Sequence, residues 1–362
     1  MNSILQWQQV TGVLMKGSIT MKKFFKTVAV FLACVVLLLG LTAGVTALRS
    51  RSLRKDIIIA DEKFELKNAD RIHFLNTGSG DCILIESGGL FALVDSADDS
   101  NAHPPKKSTT GAYEDFVIAY IKKVAADGEG RVRLDWILGT HAHSDHISCF
   151  DEIILDPDIT IGRAYLREYR DEIVNKTERE TWDNLEVYTI VVEALKEREV
   201  ERVSALPSEP WQWGNFTVQF FNTEYNFIPE MDENANSVVT KLTKNGLSAL
   251  LTGDLNNLVP NNEKRLAKEI GGVDLLKVAH HGYPFSSTWS FLKATGPDIS
   301  IVTNENTALS LSPFMVQKVY PNVWFRLVWA AKSPHFYTGD HNGVIATFTD
   351  DGEIFLTGNI HG

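Results

Sequence analysis

The order of apolar segments predicts a mixed α/β fold, with two sheets flanked by helices, that follows an apolar N-terminal helix. After residue 70, strand-like segments come first, strands then alternate with helices, and strands return near the end. That order is typical of two mixed sheets covered by outer helices. The 22 residues from Thr27 to Leu48 carry no charge. At about 1.5 Å per residue they span roughly 33 Å, enough to cross a bilayer core. The remaining chain fits one large domain.

The apolar segment predicts a membrane anchor or a signal peptide. Its length favours an uncleaved anchor, whereas Met21-Lys22-Lys23 and Val45-Thr46-Ala47 resemble a signal start and a cleavage site. Four basic residues lie on each side, so charge bias gives no orientation. The signal-like start favours a single pass through the cytoplasmic membrane with the catalytic domain outside, and secretion after cleavage is the alternative. The predicted domains are a tail (1–26), the anchor or signal (27–48), a linker (49–70) and the catalytic domain (71–362).

Charge is distributed unevenly along the chain. The first 55 residues hold eight basic side chains and no acidic one, leaving 27 of the 35 basic residues against all 46 acidic ones. This acidic balance disfavours a large basic surface for nucleic acid, because phosphate binding relies on Lys and Arg. A local basic groove stays compatible with it.

The elements of the large domain follow from alternation, turn signals and helical periodicity. Hairpin turns are predicted at Gly88-Gly89, Asn245-Gly246 and Asp351-Gly352. The predicted strands are 71–76, 82–86, 91–95, 134–139, 216–221, 237–242, 247–251 and 274–279. The predicted helices are 113–126, 262–270 and one marked by Trp182, Leu185, Val192 and Leu195, with its charges interpreted as a solvated face. Two further β-α units and the last hairpin complete the chain.

Three histidines and an aspartate fall within six residues, from His141 to His146, directly after a predicted buried strand. In an extended segment His141 and His143 point to the same side. Asp145 and His146 are adjacent and diverge, which suits a second metal ion beside the first. Imidazole and carboxylate ligands suit zinc, and also manganese or iron. The competing interpretation is a polar loop with incidental histidines.

Two later clusters also follow apolar strands. Asp254 comes directly after the strand that ends near Leu251, and His280 and His281 come after the strand that ends near Ala279. Taken singly, such residues are more often a turn or a hydrogen-bonded pair. Three polar clusters at three strand ends predict convergence along one sheet edge, where ligand sites are common.

Together these motifs resemble the metallo-β-lactamase superfamily, and within it the hydrolase domain of the ComEC competence proteins and their stand-alone relatives. The resemblance is carried by Asn76-Thr77-Gly78-Ser79-Gly80-Asp81, Leu93-Val94-Asp95, the string HAHSDH from His141, Asn236-Ser237, Thr252-Gly253-Asp254 and His280-His281-Gly282. It covers about residues 71–358. It implies an αββα sandwich, here preceded by a transmembrane helix, with two divalent metal ions, preferably zinc or else manganese.

The resemblance also implies roles for individual residues. The implied metal ligands are His141, His143, Asp145, His146, Asp254 and one of His280 and His281. His141 and His143 would hold one ion, and Asp145 and His146 the other, with Asp254 as a bridge. The alignment of His-Gly favours His281 without settling the choice. The residues expected to orient ligands or contact substrate are Asp81, Asp95, Asn236, Ser286 and Ser287, although the two serines could equally cap a helix and pack.

One feature departs from the general superfamily pattern. A third histidine for the first ion is not evident between the HAHSDH string and Asp254, and Asn234-Ala235-Asn236-Ser237 occupies that interval. The first ion is therefore expected to be held weakly, with Asn236 or water completing its site.

The predicted function is metal-dependent hydrolysis, with a metal-activated hydroxide attacking a phosphodiester in nucleic acid or a wall polymer. Asp145, His280 and His281 are the predicted catalytic residues. Whichever of the last two is not a ligand would protonate the leaving oxygen. The alternatives are hydrolysis of a carboxylic ester, lactone or β-lactam, and a non-catalytic metal-binding module tethered to the membrane.

Overall fold

A computed structural model of the chain describes residues 2–60, 70–99, 112–224, 232–259, 261–283, 285–304 and 321–360. The chain divides into two compact units, Met1–Ser52 and Leu53–Gly362. The first unit lies in one long helix, α1, Asn2–Arg54. Within it the stretch Lys23–Arg54 is long and apolar enough to cross a membrane, judged by length and composition. The predicted segment 27–48 falls inside this stretch.

The second unit combines short helices with many strands. The helices are α2 Glu114–Ala125, α3 Ser144–Ile147, α4 Phe150–Leu155, α5 Lys176–Thr181, α6 Asn184–Glu197, α7 Asn262–Ile270, α8 Trp289–Thr295 and α9 Pro321–Arg326, which continues as a π-helix, Leu327–Ala331. The strands are β1 Ile59–Ala60, β2 Asp70–Phe74, β3 Cys82–Ser87, β4 Leu90–Ser96, β5 Val132–Leu134, β6 Trp136–Leu138, β7 Ile159–Ile161, β8 Ala164–Tyr165, β9 Arg202–Val203, β10 Trp211–Trp213, β11 Phe216–Phe221, β12 Val239–Lys244, β13 Leu247–Leu251, β14 Leu275–Lys277, β15 Ile299–Val302, β16 His335–Tyr337, β17 Val344–Phe348 and β18 Ile354–Gly358.

The strands form two large mixed sheets. The nine-stranded sheet has the order β1-β18-β17-β2-β3-β4-β6-β8-β9, and the seven-stranded sheet has the order β10-β11-β12-β13-β14-β15-β16. In each sheet antiparallel hairpins lead into parallel strands: β4 pairs in parallel with β6, and β13 with β14. Parallel neighbours place their carboxyl ends at one edge, and the loops that follow β6, β13 and β14 carry the predicted site residues.

Three clusters of buried apolar residues define the layers. One lies between the sheets and includes Phe74, Leu138 and Phe220. A second packs the nine-stranded sheet against α2 and α6, and a third packs the seven-stranded sheet against α7 and α8. The order of layers is helix, sheet, sheet, helix, so the predicted two-sheet α/β architecture is confirmed.

Three details differ from the sequence prediction. The single strand expected over 134–139 is two strands, because the chain changes partner at Asp135: β5 pairs with β7 in a small separate sheet, while β6 joins the nine-stranded one. Of the residues that predicted helix α6, Leu195 is buried as expected, Leu185 is exposed, and Trp182 lies before the helix; Val187 and Val191 complete the buried face. The predicted linker 49–70 contains the end of α1 and the short strand β1.

Candidate metal centre

The structure brings the three predicted clusters together at one edge of the sheets. The segment His141–His146 follows β6, Asp254 follows β13, and His280 and His281 follow β14. Asp145, His146, Asp254 and His281 each offer one atom to a group whose members lie within 4.8 Å of one another. The two histidines and Asp254 are buried. Such a compact set of buried nitrogen and carboxylate ligands suits a transition-metal ion.

His146 and His281 face each other through their Nε2 atoms, which lie 3.2 Å apart. The Nδ1–H of His146 donates to Oδ2 of Asp95 at 2.7 Å, and the Nδ1–H of His281 donates to the carbonyl of Thr303 at 3.2 Å. A bound cation would require the neutral form of both rings, with a lone pair on each Nε2. Although burial opposes it, the carboxylates of Asp254 and Asp95 raise the pKa of His146 well above its usual value, so a cation at this point would displace a proton. Asp254 Oδ1 lies 3.2 Å from both Nε2 atoms. It has no hydrogen bond of good geometry among the described residues, although Lys277 Nζ lies 3.5 Å away. Three potential ligand atoms thus converge on one point.

A second facing pair is formed by His141 and His143. Nε2 of His141 lies 3.1 Å from Nδ1 of His143. Nδ1 of His141 donates to Oγ1 of Thr140 at 3.0 Å, and Nε2 of His143 donates to Oε1 of Glu178 at 2.8 Å. Although burial opposes it, Glu178 raises the pKa of His143 to about 9. A cation between the two inward-facing nitrogens would therefore displace a proton from this pair. The rings of His141 and His146 are in contact, with centroids 4.2 Å apart, so the two pairs form one continuous cluster.

Asp95 is the buried carboxylate that holds the outer nitrogen of His146. Asp95 accepts from His146 and also from the backbone N–H of Thr140 at 2.8 Å and from its hydroxyl at 2.8 Å. It lies in a left-handed conformation, with φ of 57°, at the end of β4. Burial raises the pKa of Asp95, although the nearby His146 opposes that shift. Hydrogen bonding of this kind fixes the tautomer and orientation of a metal-binding histidine.

Among the described residues, no third histidine or carboxylate joins His141 and His143 in a ligand group. Asn236, expected in that position, is fully buried and donates its amide to Glu233 at 3.0 Å. Its neighbour Ser237 contacts His141 instead, with Oγ 3.3 Å from Nδ1. The segment from Asn234 to Ser237 thus contacts the outer nitrogen of His141. The inward side of the pair of His141 and His143 offers two ligand atoms, one from each ring.

His280 lies beside the cluster. Its Nε2 is 3.8 Å from Oδ2 of Asp254, and its side chain is 22% exposed. Burial in the surrounding protein lowers the pKa of His280 to about 4. Both His280 and His281 have positive φ, 53° and 48°, and this tight turn points the two rings to different sides. The geometry therefore places His281 in the ligand group and His280 at its opening.

The two predicted serines lie beneath the turn. Ser286 donates its hydroxyl to the carbonyls of Ala279 and Tyr283, and Ser287 accepts from the backbone N–H of Ala279. Both serines are fully buried, so they support the loop that carries His280 and His281 and do not face a substrate. The cap of α8 is Thr288, whose hydroxyl accepts from Phe291 N.

Asp81 and Lys277 form a buried ion pair next to the cluster. Lys277 Nζ also lies 3.5 Å from Oδ1 of Asp254, and Asp81 Oδ1 lies 3.4 Å from Nδ1 of His281. Burial alone would raise the pKa of Asp254, but the charges on His146, His281 and Lys277 hold it well below its usual value. Burial likewise opposes the charge on Lys277, and the two carboxylates keep its pKa raised.

Sequence reasoning missed Glu178 and Lys277. Glu178 lies on α5, before the helix predicted from Trp182 to Leu195, and it is 5% exposed and accepts from His143, Asn175 and Asn184. The sequence around it offers no signal that separates this glutamate from its neighbours. Lys277 did offer one, because a lysine inside the apolar run Leu275–Val278 has to be buried and paired if that run is a central strand.

A glycine beside the cluster is required by close packing. Gly253 has φ of 49°, and a Cβ at this position would lie 2.9 Å from Oγ1 of Thr140. Its carbonyl also accepts from Lys277 Nζ at 2.8 Å. The absence of a side chain lets the Asp254 loop approach the His141 loop, which brings the clusters within ligand distance.

The donor set fits a divalent cation at the group of Asp145, His146, Asp254 and His281, and His141 and His143 offer two further nitrogens beside it. Asp145 lies at the edge, with Oδ2 3.6 Å from His281 Nε2. His143, Asp145 and His280 are the cluster members that reach solvent. The metal would therefore be held from within the protein and approached from this open side.

Comparisons with known proteins identify the family. Residues 75–302 match the family described as Metallo-beta-lactamase superfamily. The chain is 24% identical to ComE operon protein 3 of Bacillus subtilis (strain 168) over 259 residues, which is 66% of this chain and 29% of that protein. It is 31% identical to Recombination protein 2 of Haemophilus influenzae over 94 residues, which is 26% of this chain and 11% of that protein.

The chain thus spans less than a third of the length of these curated relatives. Among solved structures, Igni18, a metallo hydrolase from Ignicoccus hospitalis, aligns with a TM-score of 0.40 and 13% identity, covering 79% of this chain and 98% of that one. The predicted αββα fold and the similarity to competence proteins are confirmed. The family match covers more than half of the chain, and the chain belongs to the metallo-β-lactamase superfamily.

Proposed function

We propose that this protein is a metal-dependent hydrolase that cleaves phosphodiester bonds with two bound divalent cations, zinc or manganese. The observation that carries the proposal is the convergence of four imidazole nitrogens and the buried Oδ1 of Asp254. Nitrogen and carboxylate ligands gathered this closely in a buried position suit a transition-metal ion. The proposed ligands are His141 and His143 for one ion, and Asp145, His146 and His281 for the other, with Asp254 between them.

When bound, two such cations supply Lewis acidity, which activates water and neutralises charge on a phosphoryl oxygen. The protein's own side chains provide the rest. Asp95 and Glu178 keep His146 and His143 in the tautomers that present lone pairs inward. Asp145 is 19% exposed and is placed to orient the attacking water.

His280 is the proposed contact to the substrate. It stands at the opening, next to Asp254, with 22% of its side chain exposed. Because burial lowers the pKa of His280 to about 4, its ring is neutral at pH 7 in the free protein. It is therefore suited to donate a hydrogen bond to a substrate oxygen, and a full proton transfer from it would require the substrate's negative charge.

The proposed substrate is a nucleic-acid phosphodiester. The curated relatives are named for competence and recombination, and both processes handle DNA. The large domain has fewer Lys and Arg than Asp and Glu residues. Short or single-stranded substrates therefore suit it better than long duplexes, whose binding needs many basic side chains. A phosphodiester-linked wall polymer shares the chemistry and is the alternative within this class.

The test is hydrolysis of bis(p-nitrophenyl) phosphate and single-stranded DNA by protein stripped of metal and then reloaded with Mn²⁺ or Zn²⁺. Activity should disappear with the chelator and return with metal, and elemental analysis should find up to two ions per chain. Asp145→Ala and Asp254→Asn should lower activity by more than about 100-fold, because even residues that only orient ligands cost roughly 10–100-fold. Asp158→Ala, at an exposed aspartate, is the matched control and should keep full activity.

Three outcomes would contradict the proposal. Protein that neither contains nor regains a transition metal lacks the centre altogether. Cleavage of a lactone or β-lactam with both phosphodiesters untouched would transfer the assignment to ester or lactam hydrolysis. Metal-loaded protein without any turnover would point to a binding module.

A further inference from the structure

Lys277 is a buried lysine in the layer between the sheets. It shares a face of β14 with Leu275, which belongs to the core between the sheets, and its side chain is fully buried. An ammonium group has three N–H donors, and burial without acceptors would be costly. Three acceptors surround it: Asp81, the carbonyl of Gly253 at 2.8 Å and, more distantly, Asp254 at 3.5 Å.

The same oxygen of Asp254 serves two cationic positions. Oδ1 lies 3.5 Å from Lys277 Nζ and 3.2 Å from each Nε2 of His146 and His281. A divalent ion held by those nitrogens would thus share a carboxylate oxygen with a permanent ammonium group. The divalent ion and the ammonium group would both lie next to this one oxygen. Two positive charges that close repel each other by several times the thermal energy in a partly buried site.

We propose that Lys277 is a built-in counter-charge: it positions Asp81 and Asp254 when no ion is bound, and it weakens the affinity of the His146, His281 and Asp254 group for a divalent cation. The inference rests on metal binding by this centre, as in the proposed function, and requires no particular substrate. Lys277 is then a positioning residue with two effects. It keeps the site formed before the ion binds, and it lowers the affinity of the site for the ion.

The experiment compares the full-length protein in detergent with Lys277→Met, using Mn²⁺ or Zn²⁺ alone as the probe. Dissociation constants come from competition with a chromophoric chelator, and Tm is followed with and without metal. Metal-free Lys277→Met should melt on the order of 10 °C lower, because two buried carboxylates lose their counter-charge. It should bind metal about tenfold more tightly or better, so metal should raise its Tm more than it raises that of the wild type.

Lys244 supplies the matched control. It is a second buried lysine, paired with the buried Asp70 at 2.5 Å. It is the last residue of β12, whereas Ser237, which contacts His141, precedes the other end of that strand. Lys244→Met should lower Tm to a similar degree while leaving the metal-induced rise in Tm and the dissociation constant as in the wild type. A purely structural role for Lys277 would give that same pattern.

Two outcomes overturn the inference. An unchanged or larger dissociation constant in Lys277→Met contradicts it while leaving the metal centre itself intact. Failure of the wild type to bind either ion overturns it together with the proposed function. Should Lys277→Met not fold, the comparison moves to the Asp81→Asn background, in which one carboxylate is already neutral. There, Lys277→Met must tighten metal binding relative to Asp81→Asn alone, and no change counts against the inference.

Discussion

Each histidine that faces the centre is held at its outer nitrogen by a hydrogen-bond acceptor, which is a carboxylate for two of them, a hydroxyl for the third and a backbone carbonyl for the fourth. Glu178 accepts from His143, Asp95 from His146, the hydroxyl of Thr140 from His141, and the carbonyl of Thr303 from His281. The carboxylate partners make their imidazoles more basic ligands than the neutral partners do. The basicity of each imidazole is therefore set by one neighbouring residue that is not itself a proposed ligand.

A separate acidic cluster titrates outside the metal centre. Asp99, Asp151 and Glu152 lie together on or near α4. Burial, reinforced by the neighbouring Glu152 and Asp98, raises the pKa of Asp99 to about 7. Burial and a hydrogen bond to Glu152 raise the pKa of Asp151 to about 8.

This cluster predicts a loss of stability at alkaline pH. A carboxyl whose pKa is higher in the folded than in the unfolded state stabilises the fold fully below about pH 4, and that contribution disappears as pH rises through 7 to 8. Asp151→Asn replaces the carboxyl by an amide that stays neutral at every pH. The variant should therefore melt at a higher temperature than the wild type at pH 8.5 and at the same temperature at pH 4. Thermal melts across pH in a chelating buffer test this. A constant difference in Tm at every pH would refute it.

At the scale of elements, strand ends and their following loops build the site. The loop after β14 turns twice through left-handed residues, His280 and His281. Ser287 supports it by accepting from the N–H of Ala279 at 3.2 Å. The conformation of His281, a proposed ligand, therefore depends on a side chain that lies beneath it.

Ser287→Ala should weaken both the fold and the metal site. It leaves the buried N–H of Ala279 without its acceptor, which costs about 1–3 kcal/mol, and it frees the loop that carries His281. We expect a lower Tm and several-fold weaker metal binding, measured by thermal unfolding and chelator competition. Ser290→Ala, an exposed serine on α8, is the control and should change neither quantity. Unaltered metal binding in Ser287→Ala would show that the loop holds itself in place.

At the scale of the whole molecule, an apolar helix precedes an acidic domain. The stretch Lys23–Arg54 could cross a membrane by length and composition, and a signal sequence would pass the same test. We propose a single-pass anchor with the hydrolase domain outside the cytoplasmic membrane. The equal basic charge on both sides of the apolar segment leaves orientation to experiment.

Deleting residues 1–48 should convert a membrane-bound protein into a soluble one, because the apolar segment is lost and the acidic domain remains. Fractionation of cells that express both forms measures this. Protease added to intact cells should digest the domain of the full-length protein. A domain that stays protected until the membrane is permeabilised would reverse the proposed orientation. If cells that express the undeleted chain release a shortened protein into the medium, the apolar segment is a cleaved signal.

The sequence by itself determined the family, the fold class and the candidate ligands. His141 to His146 are six consecutive residues, and Asp254 and His281 follow strands that alternation and apolar runs reveal locally. Elements whose boundaries depend on near neighbours, such as β11 and α7, were also predicted with the correct limits. These features are encoded by short-range patterns, which a single sequence displays directly.

Only the tertiary structure decided which residues support the ligands. It placed His281 in the ligand group and His280 at the opening, since one tight turn separates the two rings. It also buried Glu178 against His143, and Lys277 against Asp81, across long separations in the chain. Whether a charged side chain is solvated or buried depends on partners brought to it by folding, and no pattern around Glu178 itself could indicate that partner.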